Sequence, residues 1–335
     1  MGHLLSHPIE DKLIEGGSHS RVSYAVGAMQ GYRMTMEDAH SVKINEEELV
    51  AIFGVFDGHG GKLVAEIVSE KLTLLLFRQL NHHPSMSQKQ VIDITRDLFL
   101  RIDAQIHKHG RYENVGSTAI VVIVYHNEII VANTGDSRAV CSINGIAKTL
   151  LFDHKPTVMG ELVRIENANG YIANSRINEI LALSRAFGDF HFKHPWLDST
   201  QNKYIIQNRR YFHKGKVELP PELFMVTAEP DFLVYDIDAH GAPPEFIVVA
   251  CDGIWDCFKN LDLIRLIRHK IAVGWLLQKI TEHVLHELLT KANLYTGVGF
   301  DNMTLIIIAI HPNQTMEDWQ HMISHRVERA RGLRK

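Results

Sequence analysis

Six acidic residues lie at the ends of apolar segments, each beside a glycine or a turn: Glu37, Asp38, Asp57, Asp136, Asp252 and Asp301. Strand ends that meet at one rim of a sheet would bring these carboxylates together, where they would repel and raise one another's pKa values. Hard divalent cations relieve such repulsion, and ligation by oxygen alone favours Mg²⁺ or Mn²⁺ over zinc. The pattern therefore predicts a site for divalent cations.

Turn formation is the competing explanation, because Asp-Gly is a common turn dipeptide and any single Asp of this kind could serve a turn. Two of these dipeptides, however, each follow a continuous apolar run, 50–56 before Asp57 and 246–251 before Asp252. Turns placed at the ends of two buried strands, with further acidic residues beside other strands, are harder to explain in this way. The cation site is the better interpretation.

Neighbouring residues supply the other groups that hydrolysis of a phosphate ester requires. Two Mg²⁺ or Mn²⁺ ions about 3.5–4 Å apart can share a water and acidify it toward neutrality, so that it attacks phosphorus in line. His59 comes two residues after Asp57 and is placed to protonate the departing alkoxide. Arg33 can bind phosphate oxygens through two parallel hydrogen bonds. Together these residues indicate a phosphomonoester hydrolase.

The hydrophobic pattern predicts the elements that must position these residues. Helical spacing of apolar side chains predicts helices at 62–80, 90–109 and 260–290, the last with Asn260 as a candidate N-cap. Apolar, β-branched runs predict strands at 50–56, 118–125, 129–132, 138–143, 180–184, 246–251 and 303–310. This order of elements predicts an α+β domain with helices on the faces of sheets.

Composition excludes several classes of protein. The 335 residues carry a formal net charge of -4 and a pI of about 6.6, which gives no general attraction to nucleic acid. No stretch approaches the ~20 consecutive apolar residues that a membrane-spanning helix needs. The three cysteines, Cys141, Cys251 and Cys257, form no CxxC pair, so we expect free thiols in a reducing compartment.

Three segments lie outside the regular pattern. Residues 1–22 are polar and predict a loose N-terminal arm, in which Gly2 and Ser6 fit the pattern for N-myristoylation. A single acyl chain would give only weak, reversible membrane binding. Residues 191–224 have an irregular order and predict a loop excursion, and 312–335 predict a polar tail with a basic end.

Eight motifs in the chain resemble those of the metal-dependent protein phosphatases, the type-2C serine/threonine phosphatases. They span roughly residues 23–311, and the N-terminal sequence also resembles that of fungal members. In chain order the motifs are Arg33-Met34-Thr35-Met36-Glu37-Asp38-Ala39, Phe56-Asp57-Gly58-His59-Gly60-Gly61, Gly116-Ser117-Thr118-Ala119, Ala132-Asn133-Thr134-Gly135-Asp136-Ser137-Arg138, Asp153-His154-Lys155-Pro156, Leu183-Ser184-Arg185-Ala186-Phe187-Gly188-Asp189, Cys251-Asp252-Gly253-Ile254-Trp255-Asp256 and Asp301-Asn302-Met303-Thr304.

The resemblance implies a four-layer α-β-β-α sandwich, in which two antiparallel sheets are flanked by antiparallel helix pairs. It implies that residues 23–311 form the phosphatase domain and that two Mg²⁺ or Mn²⁺ ions bind there. By the same resemblance, Asp57 bridges both ions, Glu37 and the Gly58 carbonyl complete one site, and Asp252 and Asp301 complete the other. Asp38 holds metal-bound water, and Asp136 and Asp256 match a weaker third metal site. Arg33 is implied to bind the substrate phosphate and His59 to be the general acid.

The resemblance also identifies the parts of the chain that border the substrate. Residues about 155–180 match the variable flap beside the substrate cleft, and the unusual sequence of 157–176 leaves partner specificity open. Arg185 either contacts substrate or is only a structural salt-bridge partner. Segment 191–224 is longer than the family pattern leads us to expect, so we expect it near the cleft, where it would affect substrate choice or block access.

Two other functions compete with a phosphatase. A non-catalytic scaffold of the same fold would use the flap and the long loop for docking, but it would have no need for crowded carboxylates. A two-metal nuclease would need a basic groove with aromatic stacking residues, and the net acidic chain shows no such clustering outside its short C-terminal tail. We therefore expect a monomeric, cytoplasmic or nuclear enzyme that acts on phosphorylated protein substrates, with weak membrane association only if Gly2 is acylated.

Overall fold

The computed structural model describes residues 4–45, 47, 50–110, 112–194, 196–197, 212–213, 216–237, 243–312 and 314–332. The strands of this part of the chain are β1 Leu4–Ser18, β2 Val22–Arg33, β3 Ala39–Asn45, β4 Val50–Phe56, β5 Gly58–His59, β6 Gly116–Ser117, β7 Ala119–Tyr125, β8 Glu128–Thr134, β9 Arg138–Ile143, β10 Ile146–Thr149, β11 Ile172–Ala173, β12 Arg176–Ile177, β13 Phe187–Gly188, β14 Trp196–Leu197, β15 Phe212–His213, β16 Lys216–Glu218, β17 Asp231–Asp236, β18 Phe246–Ala250 and β19 Met303–Ile310. The α-helices are α1 Leu63–His82, α2 Gln88–His107, α3 Met159–Asn167, α4 Asp252–Trp255, α5 Asn260–Ala272, α6 Leu277–Leu289 and α7 Met316–Gly332.

Two antiparallel sheets form the centre of the fold. One has five strands in the order β17-β8-β7-β4-β3, and the other has six strands in the order β1-β2-β19-β18-β9-β10. Phe53 and Val122 of the first sheet and Val248 and Ile306 of the second belong to one buried apolar cluster. Because the central strands are buried on both faces, their sequences are almost continuously apolar rather than alternating.

Helix pairs cover the outer faces of both sheets. α1 and α2, joined by residues 83–87, pack Leu72 and Leu98 toward the five-stranded sheet. α5 and α6, joined by residues 273–276, pack side chains such as Leu285 toward the six-stranded sheet. Such short connections make the helices of each pair antiparallel neighbours. The four-layer α-β-β-α sandwich is thereby confirmed.

The N-terminal segment is a strand, so the prediction of a loose arm over residues 1–22 is wrong for its described part. β1 pairs antiparallel with β2 and places Leu13 opposite Ala28 and Gly17 opposite Tyr24. It lies at the edge of the six-stranded sheet, where both faces can remain largely exposed. An edge strand needs little burial, so a polar, Gly-containing sequence is compatible with it. A strand of this kind carries no apolar pattern by which the sequence would reveal it. Gly2 lies outside the described residues.

The C-terminal segment is also structured, so the prediction of a polar tail over 312–335 is wrong for α7. Trp319 is fully buried, and its indole Nε1 donates a hydrogen bond to the Glu245 carbonyl at 2.9 Å. Arg326 reaches the buried carboxylate of Glu245 at 3.1 Å. A few apolar side chains on an otherwise polar helix are enough to anchor it. Neither α7 nor any other helix of the described residues is long and apolar enough to cross a membrane.

Two local predictions need correction, and one strand was missed. Residues 180–184 form no strand and make only an isolated bridge between Ile177 and Leu181. Lys259, not Asn260, is the N-cap of α5, because the Asn260 side chain is instead bound to Arg138 at 2.7 Å and to Thr149 at 2.9 Å. The edge strand β17 was not predicted: its apolar run, residues 232–235, is only four residues long and lies between Asp231 and Asp236.

The flap consists of α3 and the β11–β12 hairpin. A small separate core joins this flap to the end of the excursion, with Ile165 and Ile177 packed in the same cluster as Leu219 and Met225. Within 191–224, the described residues include the short strands β14, β15 and β16, which pair antiparallel. Residues 195, 198–211 and 214–215 lie outside the described part of the chain.

Candidate active site

The sandwich brings five of the six predicted carboxylates to one cleft of about 620 Å³: Glu37, Asp57, Asp136, Asp252 and Asp301. Asp57 follows β4, Asp252 begins α4 just after β18, and Asp301 precedes β19. β18 pairs with β19, and both contact β4 of the opposing sheet, so the ends of these strands meet at one rim of the sandwich. The predicted clustering follows directly from this packing.

Asp57 has four other carboxylates of the cluster as charged neighbours. Its backbone N–H donates to Thr118 Oγ1 at 3.0 Å, its carbonyl accepts from the Thr118 N–H at 2.9 Å, and Thr118 Oγ1 in turn contacts Ser137 Oγ at 2.7 Å. Burial and the charges of Asp38, Asp252, Asp301 and Asp136 raise the pKa of Asp57 well above its usual range. A group held so firmly among like charges is suited to share a cation.

Asp38 has an unsatisfied oxygen beside Asp57. Its Oδ2 is buried and makes no hydrogen bond of ordinary geometry among the described residues, although the neighbouring side chains of Thr304 and Cys251 act to lower the pKa of Asp38. Ligand atoms of Asp38, Asp57 and Cys251 lie within 4.8 Å of one another. Burial raises the pKa of Asp38 to about 7, and Asp301 contributes to the increase. A buried carboxylate oxygen without a donor is costly, and a cation or its water is the natural partner.

Asp252 connects the predicted second and third cation positions. Burial, followed by the charges of Asp136, Asp301 and Asp256, raises the pKa of Asp252 well above its usual range. Asp136 forms an ion pair with Lys155, while Asp256 is exposed at the edge of the cluster. The residues predicted for a weaker third ion therefore lie beside Asp252, and a lysine already contacts one of them.

Glu37 and Gly58 lie against each other at the other side of Asp57. The Glu37 N–H donates to Asn302 Oδ1 at 2.9 Å, and its carboxylate accepts from the Gly61 N–H at 3.2 Å. A Cβ added at Gly58 would clash with the Glu37 carbonyl, so only glycine permits this approach of the two backbones. Asn302 also donates to the Thr35 carbonyl at 3.0 Å, which fixes the loop that carries Glu37.

These residues fit divalent cations. The donors are carboxylate and carbonyl oxygens, the set that Mg²⁺ and Mn²⁺ favour. The mutual elevation of the carboxyl pKa values and the buried Asp38 oxygen both fit a site that binds positive charge. Cys251 is near the cluster, but burial raises the pKa of its thiol well above the usual range, which disfavours a thiolate ligand.

The two predicted substrate-facing residues also line the cleft. Arg33 Nη2 donates to Asp301 Oδ2 at 2.6 Å, and both side chains remain more than a third exposed. His59 Nε2 lies 2.7 Å from Asp189 Oδ2. Burial lowers the pKa of His59, but the Asp189 carboxylate and the charges of Asp136 and Glu37 together outweigh burial, so the net pKa of His59 is raised. The structure thus places a guanidinium and an imidazole on the rim of the carboxylate cluster.

Arg185 is engaged in salt bridges. Its guanidinium contacts the Glu161 carboxylate at 2.8 Å, Asp231 at 2.8 Å and the Glu229 carbonyl at 3.0 Å. It does not line the 620 Å³ cleft, whereas Arg176 of the flap does. Of the two interpretations that the sequence left open, the geometry favours the structural one. No described residue of 191–224 lines this cleft either.

Sequence reasoning assigned no role to several residues that organise the site. Thr118, Asn302 and Lys155 each lie in a family motif, but the motif match alone gives these residues no individual role. Asp189, at the end of another motif, is the hydrogen-bond partner of His59. Their signal was the motif itself, and their roles depend on contacts between distant parts of the chain.

Comparison with known proteins agrees with this geometry. A family model described as Protein phosphatase 2C matches residues 22–296. Protein phosphatase 2C homolog 4 of Saccharomyces cerevisiae is 35% identical, with 99% of this chain and 100% of the relative covered. Protein phosphatase 2C homolog 2 of Hypocrea jecorina is 38% identical, with 99% and 72% covered. The solved structure of a phosphatase from Toxoplasma gondii shares the fold, with a TM-score of 0.68 at 22% identity over 91% of this chain and 97% of that chain.

The fold and these matches define a metal-dependent protein phosphatase. The chain belongs to the protein phosphatase 2C family, because the family model spans most of its length and relatives above 30% identity align along nearly all of it. The predicted reaction class, hydrolysis of phosphoserine and phosphothreonine on proteins, and the resemblance to fungal members are confirmed. Nothing in the family match indicates a catalytically silent scaffold.

Proposed function

We propose that this phosphatase holds two Mg²⁺ or Mn²⁺ ions on Glu37, Asp57, the Gly58 carbonyl, Asp252 and Asp301. When bound, such ions supply a nucleophilic water near neutral pH and neutralise charge on the phosphoryl group. Asp57 would serve both positions, because the charges of Asp38, Asp136, Asp252 and Asp301 all raise its pKa. Asp38 lies behind Asp57 and is assigned the water of that site.

Other residues of the cleft act on the substrate. Arg33 binds the phosphate through its guanidinium, and His59 donates a proton to the leaving serine or threonine oxygen. Asp136 and Asp256 are proposed to hold a weaker third ion. Because Lys155 forms an ion pair with Asp136, a cation at that position must displace or rearrange the lysine.

The observation that carries this proposal is the convergence of five carboxylates on one cleft of about 620 Å³. A scaffold gains nothing from such repulsion, since it only destabilises the fold without bound cations. A nuclease would need a cationic groove, whereas the described lining of this cleft has only Arg33 and Arg176 as basic residues apart from His59. Phosphate-ester hydrolysis on proteins is therefore favoured over both alternatives.

The first experiment is phosphate release from a phosphothreonine peptide with Mn²⁺ or Mg²⁺, then with chelator, for the wild type and Asp57→Asn. We expect metal-dependent release that is lost in Asp57→Asn. Thermal unfolding with and without Mn²⁺ should show stabilisation of the wild type only, because Asp57→Asn removes the shared ligand. Asp97→Asn, at an exposed i,i+4 ion pair on α2, is the matched control and should behave as wild type.

Two results would contradict the proposal. If phosphate release persists in chelator, or if Asp57→Asn releases phosphate normally with metal, the assignment of these residues as metal ligands is wrong. A folded wild type that binds Mn²⁺ but releases no phosphate would support the scaffold instead, and deletion of 198–211 would then test whether the excursion blocks access.

The cellular setting is proposed on sequence grounds alone. We propose a monomer in the cytoplasm or nucleus that binds no nucleic acid, with weak membrane association only if Gly2 carries a myristoyl chain. Intact-mass analysis of protein purified from its native host should show the added acyl group. An unmodified N-terminus, or one that retains Met1, would end this part of the proposal.

A further inference from the structure

Three short strands form a separate small sheet beside the cleft, in the order β13-β6-β5. Its register pairs His59 with Gly116, and Gly116 with Gly188 on the other side. The sheet therefore joins three motifs that are far apart in sequence, and it places Asp189, the residue after β13, next to His59.

The contact between these two side chains is short and sheltered. His59 Nε2 lies 2.7 Å from Asp189 Oδ2, and the Asp189 side chain is 4% exposed whereas that of His59 is 29% exposed. His59 lines the cleft, and among the described residues its Nδ1 has no hydrogen-bond partner. Because one nitrogen is bound to the carboxylate, the other is left to face a reacting group.

We propose that Asp189 is the positioning residue of the general acid: its carboxylate holds Nε2–H of His59 and leaves Nδ1–H for the leaving oxygen. This inference rests on the proposed acid role of His59. When the ester P–O bond breaks, the leaving oxygen takes the Nδ1 proton, the oxygen of the attacking water bonds to phosphorus, and the proton from that water goes to solvent. The Nε2–H···carboxylate bond persists throughout and keeps the ring in one orientation.

Asp189 is itself held in a fixed position. Its backbone adopts the left-handed conformation with φ of 52°, and its N–H donates to the Val115 carbonyl at 3.0 Å. The preceding Gly188 N–H donates to Asp103 Oδ1 at 2.8 Å, and buried Lys193 binds Asp103 Oδ2 at 2.7 Å. Hydrogen bonds on both sides of Asp189 therefore tie its loop to α2, as expected for a residue that orients another.

Gly116 is the structural requirement for this contact. A Cβ at Gly116 would clash with both Asp189 Oδ2 and His59 Nε2, although the Gly116 backbone is not in the left-handed region. Alanine at this position would therefore separate the pair for steric reasons rather than strain the main chain. The motif Gly116-Ser117-Thr118-Ala119 therefore supports His59 through Gly116 and Asp57 through Thr118.

The test compares leaving groups in steady-state kinetics with Mn²⁺. The wild type, His59→Gln, Asp189→Asn and the double variant are assayed on a phosphothreonine peptide and on p-nitrophenyl phosphate, whose phenolate leaves without a proton. Asn tolerates the left-handed backbone and is isosteric with Asp, so the variant removes only the charge. We expect Asp189→Asn to lower kcat on the peptide about 10- to 100-fold, with KM and the aryl ester changed less than about threefold.

Further variants separate positioning from folding. The double variant should be no slower on the peptide than His59→Gln alone, because both substitutions disable the same proton donation by His59. Gly116→Ala should reproduce the selective loss, while Gly160→Ala, where an added Cβ meets no neighbour, should not. Trp319→Ala, at a buried residue that does not line the cleft, should lower the melting temperature without changing the ratio of the two substrates.

Distinct outcomes overturn distinct claims. Equal losses of His59→Gln on both substrates would remove the proposed acid role, and the positioning role of Asp189 with it. A selective loss in His59→Gln that is absent in Asp189→Asn would overturn only the inference about Asp189. A drop in melting temperature for Asp189→Asn with an unchanged substrate ratio would likewise show that this residue is merely structural.

Discussion

Arg33 and Asp301 meet at the cleft, with Nη2 of the guanidinium 2.6 Å from Oδ2 of the carboxylate, although they stand 268 positions apart in the chain. The contact joins the first motif of the sequence to the last. It holds the residue proposed to bind phosphate beside a residue proposed to bind a cation. Substrate binding and cation binding are therefore expected to influence each other at this point.

Replacement of Arg33 should act mainly on substrate binding. A hydrogen bond to a charged group contributes about 1.5–3 kcal/mol, so Arg33→Ala should raise KM for a phosphopeptide by roughly tenfold or more. The inhibition constant of inorganic phosphate should rise in parallel, because the product offers the same oxygens. Arg101→Ala, at an exposed ion pair on α2, is the control. An unchanged KM and an unchanged phosphate inhibition constant would exclude Arg33 from the phosphate site.

The flap anchor should make stability fall in acid. Burial alone would raise the pKa of Glu161, but Arg185 and Arg164 lower it to about 2, and His154 and Arg185 lower that of Asp231 to about 2. Because both folded pKa values lie below the ordinary values of 4.5 and 3.8, the contribution is complete above about pH 4.5 and is lost as the pH falls toward 2. Glu161→Gln should flatten the decrease of melting temperature over this window. An equally steep decrease in Glu161→Gln would contradict the assignment.

The C-terminal helix should contribute to the stability of the whole domain. Trp319 is fully buried and hydrogen-bonded, so Trp319→Ala should lower the free energy of unfolding by about 3–5 kcal/mol. Denaturant titration of Trp319→Ala and of the exposed Glu317→Ala provides the comparison. A loss below about 1 kcal/mol for Trp319→Ala would mean that α7 is a dispensable attachment.

The thiols should be unreactive in the folded protein. Burial raises the pKa of Cys141 to about 12, that of Cys257 to about 11 and that of Cys251 well above its usual range. Iodoacetamide at pH 8 should therefore modify none of them in the native state and all three in denaturant, as read by mass spectrometry. Rapid native modification of Cys251 would show that solvent reaches the back of the carboxylate cluster.

The sequence by itself was sufficient for the carboxylate cluster and the core strands. Asp57 and Asp252 end continuous apolar runs, and such runs identify buried strands from local pattern alone. The family motifs then gave the sandwich and the reaction class. These features can be predicted from the sequence because each depends on residues that are neighbours in the chain.

Tertiary structure decided what depends on pairing between distant segments. β1 is a strand only because β2 offers its edge, α7 is anchored by Trp319 against Glu245, and Arg185 is committed to Glu161 rather than to substrate. Asp189 became the partner of His59 through a three-stranded sheet of two-residue strands, which are too short to leave any periodicity in the sequence. Such contacts are fixed by how the layers pack, so they become visible only when the chain is folded.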